Sequence, residues 1–506
     1  MARVTTVSMT RLLMALAAAI SLVSCQSNVG SPTVHAGGEQ LRGAYFENGV
    51  RAFLGIPYAA APEGELRWRP PQARAPRPGP QEATQFGPAC PQDQGNPDWY
   101  RTVAIAMGNN GDIVPPLSNI SEDCLVLNVW APPGTVRQST PWPVMVWIHG
   151  GSNVNGFAHE PNYQGHALAA GGVIVVSINY RLGFLGFFAH PALGENGSGR
   201  QGLLDQVAAL QWVRTNIAAF GGDPTRVTVF GESAGGTNIQ ALMHLREAQG
   251  LFHRAIIQSG SLDQDSFSTH DDAAALAVRT FNADVSAQTL RDIPWEQIVQ
   301  RQAAELPGHF YAPVVEAPRS AVVPLMIGSN RDEWRMYLSD DVEADYRQAM
   351  AAIAPERRLG VDAYLQSVSN DPKRRADYLK SAPGFLCPTQ RLANAARNAG
   401  QSAFVYLFTR VRPGAHDLGA YHGAEIPYAF DTADAWLPAD AADMALTQTM
   451  RRYWINFAAT GDPNGEDLPY WPAWSATPQL LELGSETRQI ESLHTFALCA
   501  LTEGSD

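Results

Sequence analysis

Short apolar stretches recur along the chain, separated by segments in which apolar residues have a helical spacing. Six stretches are rich in β-branched residues and hardly alternate between apolar and polar positions, which is typical of strands buried on both faces. They cover residues 143–149, 172–179, 226–230, 254–258, 322–328 and 403–409. Residues 203–220 repeat apolar positions at intervals of three and four, which predicts an amphipathic helix. This order predicts an α/β fold with a mostly parallel central sheet flanked by helices.

The rest of the pattern predicts a leader, a tether and one large domain. Residues 1–24 carry two arginines, no acid and an apolar stretch whose length and flanks fit an export signal better than a membrane span. Residues 25–38 are polar and contain Gly, Ser and Pro, which predicts a tether. Residues 39–500 are expected to form a single domain, with a helical insertion over about residues 335–400, where strand signals are missing.

The charge balance is acidic and argues against nucleic acid as a partner. The chain has 36 Lys and Arg against 49 Asp and Glu, a formal charge of −13. Removal of residues 1–24 takes away Arg3 and Arg11 and no acid, so the charge becomes −15. The sequence has no Lys/Arg cluster and no further run of 18 apolar residues. We therefore expect no nucleic-acid binding, and membrane contact only through the N-terminal segment.

The leader ends in LVSC, residues 22–25, which resembles the bacterial lipobox. In that motif the cysteine is lipidated and becomes the first mature residue. We therefore predict an exported lipoprotein that is anchored to a membrane at Cys25, in the periplasm if the host has one. The alternative is an ordinary cleaved signal and a secreted protein, with Cys25 incidental.

Four further cysteines remain once Cys25 is set aside, an even number that suits an oxidising compartment. They are Cys90, Cys124, Cys387 and Cys499. Two disulfides can form among them, with three possible connectivities, and the spacing alone favours none of the three.

Ser233 lies in FGESAGG, residues 230–236, behind the apolar stretch RVTVF and ahead of the helix-like stretch TNIQALMHL. A Gly-x-Ser-x-Gly pattern between a strand and a helix is the context of a nucleophile elbow, a tight turn that lifts the serine above the sheet. Gly231 and Gly235 suit that turn because they have no Cβ. We predict that Ser233 is a nucleophile; the alternative is a structural turn of small residues.

A serine nucleophile needs a base, an acid that orients the base, and donors for an oxyanion. The stretch WIHGGSNVNG, residues 147–156, follows a predicted strand, and its glycines allow backbone N–H groups to point into a cleft. Among twelve histidines, His422 is the candidate base, because it lies between glycines in a loop behind a predicted strand. His149 belongs to the glycine-rich turn, and His416 is expected to be structural or exposed.

The candidate acids, Asp332 and Glu333, also follow a predicted strand, and from the residues alone either can orient the imidazole. The order serine, acid, histidine along the chain is that of α/β-hydrolases. The sequence contains no His-Glu-x-x-His motif, no Cys/His cluster and no dinucleotide-binding glycine pattern, so we expect no metal and no cofactor.

Seven more stretches, in chain order, strengthen this interpretation: FLGIPYAAAP, SEDCLVLNVWAP, NYRLGFLGF, GLLDQVAALQWVRTNIAAFGGDP, GSNRDEW, YHGAEIPYAF and FAATGDPNG. With FGESAGG, they make residues 35–500 resemble the type-B carboxylesterases, which include the cholinesterases. The resemblance implies the α/β-hydrolase fold and a serine hydrolase that cleaves small-molecule carboxylic esters through an acyl-enzyme. Two alternatives remain: hydrolysis of a carbamate or aryl amide by the same residues, and a non-catalytic binding or adhesion module.

The family motifs imply a role for each matching residue. They imply Ser233 as the nucleophile, His422 as the base, and Glu333 rather than Asp332 as the acid. The oxyanion donors they imply are the backbone N–H groups of Gly151, Ser152 and Ala234. The disulfides they imply join Cys90 to Cys124 and Cys387 to Cys499.

Three features of the chain depart from the family pattern. The stretch between QSGSLDQD, residues 258–265, and PVVEAPRSAVVPLMIG, residues 313–328, is shorter than in the family, which predicts an unusual wall on the acyl side. Ser152 and Asn153 stand where the family usually has a small residue and then Phe, which predicts a more polar wall beside the acyl group. Trp99 and Tyr100 lie in the loop where cholinesterases keep an aromatic residue for a cationic substrate, but their spacing differs, and we expect no choline binding.

Overall fold

The computed structural model describes residues 30–46, 48–111, 115–134, 140–261, 267–315, 323–432, 437–491 and 495–503, apart from the side chains of residues 195, 196 and 503. The chain divides into two units, Met1–Ser31 and Pro32–Asp506, and the fold described below belongs to the second. The predicted leader and Cys25 lie outside the described residues. Among the helices in the described ranges, none has the length and apolarity needed to cross a membrane.

The described residues contain both strands and helices in alternation. The strands are β1 (Thr33–Ala36), β2 (Glu39–Arg42), β3 (Ala44–Tyr45), β4 (Arg51–Pro57), β5 (Pro80–Glu82), β6 (Val126–Ala131), β7 (Trp142–Ile148), β8 (Ile174–Ile178), β9 (Gly222–Glu232), β10 (Arg254–Gln258), β11 (Leu325–Asn330), β12 (Ala403–Phe408), β13 (Gln479–Leu483) and β14 (Thr487–Glu491). The α-helices are α1 (Gly95–Ala106), α2 (His166–Ala170), α3 (Gly183–Gly186), α4 (Gln201–Asn216), α5 (Ala234–His244), α6 (His270–Phe281), α7 (Ala287–Arg291), α8 (Trp295–Glu305), α9 (Val342–Ala351), α10 (Arg358–Val368), α11 (Pro372–Ser381), α12 (Cys387–Asn398), α13 (Ile426–Phe430), α14 (Ala441–Thr460) and α15 (Ala497–Glu503).

An eleven-stranded sheet forms the centre of the fold, in the order β14-β13-β12-β11-β10-β9-β7-β8-β6-β4-β3. The seven strands from β13 to β8 in this order are parallel to their neighbours. The strands outside them, β14 at one end and β6, β4 and β3 at the other, pair antiparallel. The mostly parallel sheet predicted from the sequence is confirmed, and all six predicted strands belong to its parallel part.

Strand β7 shows why the predicted strands lack polar positions. Val144, Val146 and Ile148 belong to one apolar core, whereas Met145 and Trp147 belong to another. Successive side chains of a strand point to opposite faces of the sheet, so the two cores lie on its two sides. A parallel strand covered by helices on both faces is apolar at every position.

The structure gives exact bounds to three segments predicted from the sequence pattern. The predicted tether ends earlier than Gly38, because the alternating residues of β1 pair with β2 across the turn Gly37–Gly38, where both glycines have positive φ. The predicted helix over 203–220 is α4, followed by a 3-10 turn, Ile217–Phe220. The region about 335–400 holds α9 to α12, with a π-helical turn at Ala382–Leu386.

The two edges of the large sheet are short or polar. Strand β3 has only two residues. Strand β14 exposes Arg488 and Gln489, and Arg488 forms an ion pair with Glu482 of the neighbouring strand at 2.7 Å.

Two disulfides cross the fold in the pairing that the family motifs imply. Cys90 and Cys124 have a Cα–Cα distance of 5.0 Å and close a loop of 34 residues. Cys387 and Cys499 have a Cα–Cα distance of 5.5 Å and close a loop of 112 residues. The second disulfide fastens the C-terminal helix α15 to the start of α12.

Candidate active site

The sequence-predicted site residues follow the carboxyl ends of four central strands of the sheet. The glycine-rich turn follows β7, Ser233 follows β9, Glu333 follows β11 and His422 follows β12. These four strands are parallel, so their carboxyl ends point to the same side, where α/β sheets place their ligand sites.

Ser233 lies between strand β9 and helix α5 in a strained conformation, with φ 52° and ψ −126°. The turn runs close to the end of β7. A Cβ on Gly235 would lie 2.0 Å from the carbonyl oxygen of Ile148, and a Cβ on Gly231 would lie 2.6 Å from the same atom. The two glycines are therefore required by close backbone approach, as the sequence pattern predicts. The Ser233 N–H donates to the carbonyl of Gln258 at 2.8 Å, which fixes the turn.

Three backbone N–H groups near Ser233 have no acceptor among the described residues: those of Gly151, Ser152 and Ala234. Gly151 and Ser152 have positive φ, 95° and 56°, which turns the chain after β7 towards Ser233. Ala234 is the first residue of α5, so its N–H belongs to the open end of that helix. These three free donors, one of them at a helix N-terminus, suit a developing negative charge.

His422 and Glu333 form the closest charged contact of the site. The Nδ1 atom of His422 lies 2.6 Å from Oε2 of Glu333, which is fully buried. The other oxygen, Oε1 of Glu333, accepts the Asn330 N–H at 2.6 Å, so both carboxylate oxygens are held. This arrangement orients the imidazole through Nδ1, on the opposite side of the ring from Nε2.

Asp332 lies apart from the imidazole and binds two arginines and a backbone N–H group instead. Its carboxylate contacts Arg331 at 2.8 Å and Arg374 of α11 at 3.0 Å. It also accepts the Ala420 N–H at 2.8 Å, while the Asp332 N–H donates to the Ala420 carbonyl at 3.1 Å. Ala420 stands two residues before His422, so Asp332 holds the histidine loop in place. Of the two acids that the residues alone leave open, the one in contact with His422 is Glu333.

A second carboxylate, Glu232, contacts the same imidazole. Its Oε1 lies 3.2 Å from Nε2 of His422. Burial raises the pKa of Glu232 to about 8, although the charge of His422 opposes the shift. Burial favours the neutral form of His422, but the carboxylates of Glu232 and Glu333 outweigh it and raise its pKa to about 9.

Ser233 and His422 open into one cavity of about 480 Å³, here called the serine cavity. Its walls are aromatic and acidic. The aromatic residues are Trp99, Tyr100, Tyr163 and Tyr337, and the acids are Asp93, Glu160 and Glu232. No Lys or Arg occurs among the described residues that line it. Trp99 donates through Nε1 to the Tyr337 hydroxyl at 3.1 Å, which joins two walls that are far apart in sequence.

The position of Asn153 contradicts the expectation that this residue makes the wall beside the acyl group more polar. The residue is fully buried and does not line the serine cavity. Its Nδ2 donates to the Tyr311 carbonyl at 2.8 Å, and its Oδ1 accepts from Nδ2 of Asn238 at 2.8 Å. Asn tolerates the positive φ of 57° found here better than Phe does. Ser152 is exposed and lines the cavity. Of the two polar residues that depart from the family pattern, it is therefore the one that a substrate in the cavity would contact.

Of the two other histidines noted in the sequence, one is buried in the structure and the other is exposed. His149 is fully buried and stacks on Tyr180 with ring centroids 4.4 Å apart, and burial lowers its pKa to about 4. His416 is exposed. Within the described ranges, no three His, Cys, Asp or Glu side chains form a group able to hold a metal.

Comparison with known proteins gives consistent matches. The model of the "Carboxylesterase family" matches residues 30–499. A para-nitrobenzyl esterase of Bacillus subtilis (strain 168) is 35% identical over 478 residues, covering 87% of this chain and 92% of that protein. A phenmedipham hydrolase of Pseudarthrobacter oxydans is 34% identical over 512 residues, covering 91% of this chain and 96% of that protein.

The solved structures agree with the sequence matches. The crystal structure of Geobacillus stearothermophilus carboxylesterase EST55 at pH 6.2 superposes with a TM-score of 0.79 at 31% sequence identity. The match covers 93% of this chain and 100% of that one. The fold expected from the motifs, the α/β-hydrolase fold, is thereby confirmed.

Proposed function

The chain belongs to the carboxylesterase family and is a carboxylic ester hydrolase, and on that premise we propose that Ser233, His422 and Glu333 cleave the ester through a covalent acyl-enzyme. The observation that carries this proposal is the juxtaposition of a strained, cavity-facing Ser233 with an imidazole whose Nδ1 is held by Glu333 at 2.6 Å.

In the first half of the reaction, Nε2 of His422 takes the Ser233 proton while Oγ attacks the ester carbonyl. The carbonyl oxygen becomes an oxyanion and accepts hydrogen bonds from the free N–H groups of Gly151, Ser152 and Ala234. The imidazolium then gives its proton to the alcohol oxygen, the C–O bond breaks and the alcohol leaves. In the second half, His422 takes a proton from water, hydroxide attacks the acyl-enzyme, and the acid leaves as Ser233 regains its proton.

The acidic neighbours of His422 stabilise the imidazolium that forms in both halves. Glu333 holds the proton on Nδ1, so the neutral ring presents Nε2 as a base. Glu232 lies on the other side of the ring at 3.2 Å. These carboxylates raise the pKa of His422 above its ordinary value. We therefore expect activity to rise with pH, with a midpoint above the value of about 6.5 that an isolated histidine would give.

The charge of the serine cavity favours neutral or cationic esters over anionic ones. Three acids line it, and Lys and Arg are missing from its described lining. A negatively charged acyl or alcohol group would therefore lose solvation and find no Lys or Arg in the described lining to pair with. We expect a 4-nitrophenyl acetate to have a higher kcat/KM than a 4-nitrophenyl monosuccinate; the opposite order would contradict this assignment.

The test of the catalytic assignment uses the purified enzyme and an active-site fluorophosphonate. Wild-type protein should be labelled at Ser233 and should hydrolyse 4-nitrophenyl esters. Ser233→Ala should lose both properties, with kcat lower by at least ~10⁴. Ser152→Ala is the matched control, because it removes a hydroxyl from the same cavity and keeps the backbone donor. Loss of labelling without loss of esterase activity would refute the role of Ser233.

The same preparation separates the remaining alternatives. Matched 4-nitrophenyl ester, N-methylcarbamate and 4-nitroanilide substrates report which bond is cleaved fastest, and we expect the ester. A binding or adhesion module would show neither labelling nor turnover with any of the three.

We propose further that the enzyme is exported and lipidated at Cys25. The lipobox-like LVSC motif and the two disulfides support this location, because disulfides persist in oxidising compartments. Two or more acyl chains anchor a protein stably where one does not. Mass spectrometry of the mature protein should find a lipid-modified Cys25 as its first residue, and Cys25→Ser should shift the enzyme from the membrane to the soluble fraction. A mature start beyond residue 25 would rule the anchor out.

A further inference from the structure

A second cavity of about 400 Å³ lies between the helical insertion and the end of β11 and β12. It shares no lining residue with the serine cavity. We call it the arginine cavity, because Arg331 and Arg374 line it. We propose that the arginine cavity binds a small monocarboxylate with an apolar body, at a site separate from the serine cavity.

The two arginines supply unused hydrogen-bond donors. Arg331 contacts Asp332 through Nε and Nη2, and Arg374 contacts it through Nη1. Nη1 of Arg331, and Nε and Nη2 of Arg374, have no acceptor among the residues that the structure describes. Two cations therefore face one carboxylate, which leaves an excess positive charge in a protein whose overall charge is negative. Guanidinium groups in this arrangement bind carboxylates through paired hydrogen bonds.

Asp377 adds a third polar group to the same cavity. Its side chain is 1% exposed and lines the cavity, and its Oδ2 has no hydrogen-bond partner. Oδ1 accepts the Trp334 N–H at 2.9 Å and the Ser381 hydroxyl at 2.9 Å, so a proton on this carboxyl resides on Oδ2. Burial and the nearby Asp332 charge raise the pKa of Asp377 to about 7. A proton on Asp377 therefore removes a negative charge that would repel an anion held by the arginines.

The rest of the lining selects the body of the ligand. Val368, Leu386 and Leu407 provide apolar surface, and the rings of Tyr364 and Tyr378 lie 6.5 Å apart. A bare inorganic anion would leave this surface unused, whereas an aryl or short alkyl carboxylate covers it and places its charge at the arginines. The acids that ester hydrolysis releases belong to this chemical class.

The test measures benzoate binding to the full-length protein by isothermal titration calorimetry. We expect saturable binding of benzoate, with a dissociation constant at least tenfold higher in Arg374→Gln. Lys373→Gln is the matched control, because it removes one positive charge from the adjacent position of α11, outside the cavity lining, and should change the constant less than twofold. Val368→Trp, at a residue that is 44% exposed, should weaken binding by filling the cavity while leaving every charged group in place.

The ligand controls separate a built site from simple attraction of anions. Neutral benzamide should bind at least tenfold more weakly than benzoate. Phosphate binding as tight as that of benzoate would overturn the apolar part of the assignment, and benzoate binding that is unchanged in Arg374→Gln would overturn the site. None of these measurements depends on turnover, so they stand apart from the test of Ser233.

Discussion

Substitution of the two neighbouring acids, Asp332 and Glu333, tests the geometry of the site most directly. Both side chains are buried, with 1% and 0% exposure, and both follow the same strand. Only Glu333 contacts the imidazole, at 2.6 Å from Nδ1 of His422. We therefore expect Glu333→Gln to abolish most activity and Asp332→Asn to retain most of it.

The expected magnitudes follow from what each substitution leaves behind. Glu333→Gln removes the charge that keeps the proton on Nδ1 and stabilises the imidazolium, and loss of that interaction in a serine triad lowers kcat by ~10⁴, or about 5.5 kcal/mol. Asp332→Asn keeps an oxygen for the Ala420 N–H and weakens two contacts to guanidinium groups that are about one-third exposed. Solvent-screened pairs of that kind contribute about 1 kcal/mol or less each. A fall in kcat of less than ~10-fold is expected.

The assay compares kcat for 4-nitrophenyl acetate with thermal unfolding of the same preparations. Glu333→Gln should retain a cooperative unfolding transition, so that lost activity reports chemistry rather than lost fold. Asp332→Asn, which loosens the histidine loop, should show its effect mainly in stability. A larger fall in kcat for Asp332→Asn than for Glu333→Gln, with equal stability, would refute the assignment.

Three other predictions follow from contacts in the same region. Glu232→Gln removes a carboxylate that raises the pKa of His422, so the neutral base persists to lower pH and the acid limb of the kcat/KM profile should move down; a limb that moves up would contradict this. Asn153→Ala leaves buried partners unsatisfied and should lower the free energy of unfolding by about 2–3 kcal/mol in urea, with little change in KM. Replacing Cys387 and Cys499 by Ser opens a loop of 112 residues and should cost up to roughly 5 kcal/mol by chain entropy, measured as a lower Tm.

The parallel core of the sheet was predictable because each of its strands is apolar on both faces. The outer strands were harder to recognise. Strand β14 is mostly polar and β3 has two residues, so neither produces an apolar stretch. Strand β1 was assigned to the tether because its apolar positions are only Val34 and Ala36, and its partner β2 is what completes it.

The candidate site was predictable where short motifs carry it and not where distant segments meet. Ser233 and its glycines form one local turn, so their pattern is readable. The contact of Glu232 with His422 joins residues 190 positions apart, and that of Trp99 with Tyr337 joins residues 238 apart. The inward turn of Asn153 depends on Asn238 and Tyr311 from other elements. Such contacts arise from the tertiary fold, and residue spacing carries no signal of them.

The ends of the large sheet bear on how copies of this enzyme meet at high concentration. A sheet edge offers unpaired N–H and C=O groups to another chain, and continuous pairing across molecules leads to fibres. Here one edge offers only the two residues of β3, and the other exposes Arg488 and Gln489. An incoming strand would gain few hydrogen bonds at β3. At the other edge it would have to desolvate the charged side chain of Arg488. Association between copies is therefore expected through helical surfaces rather than by the joining of their sheets.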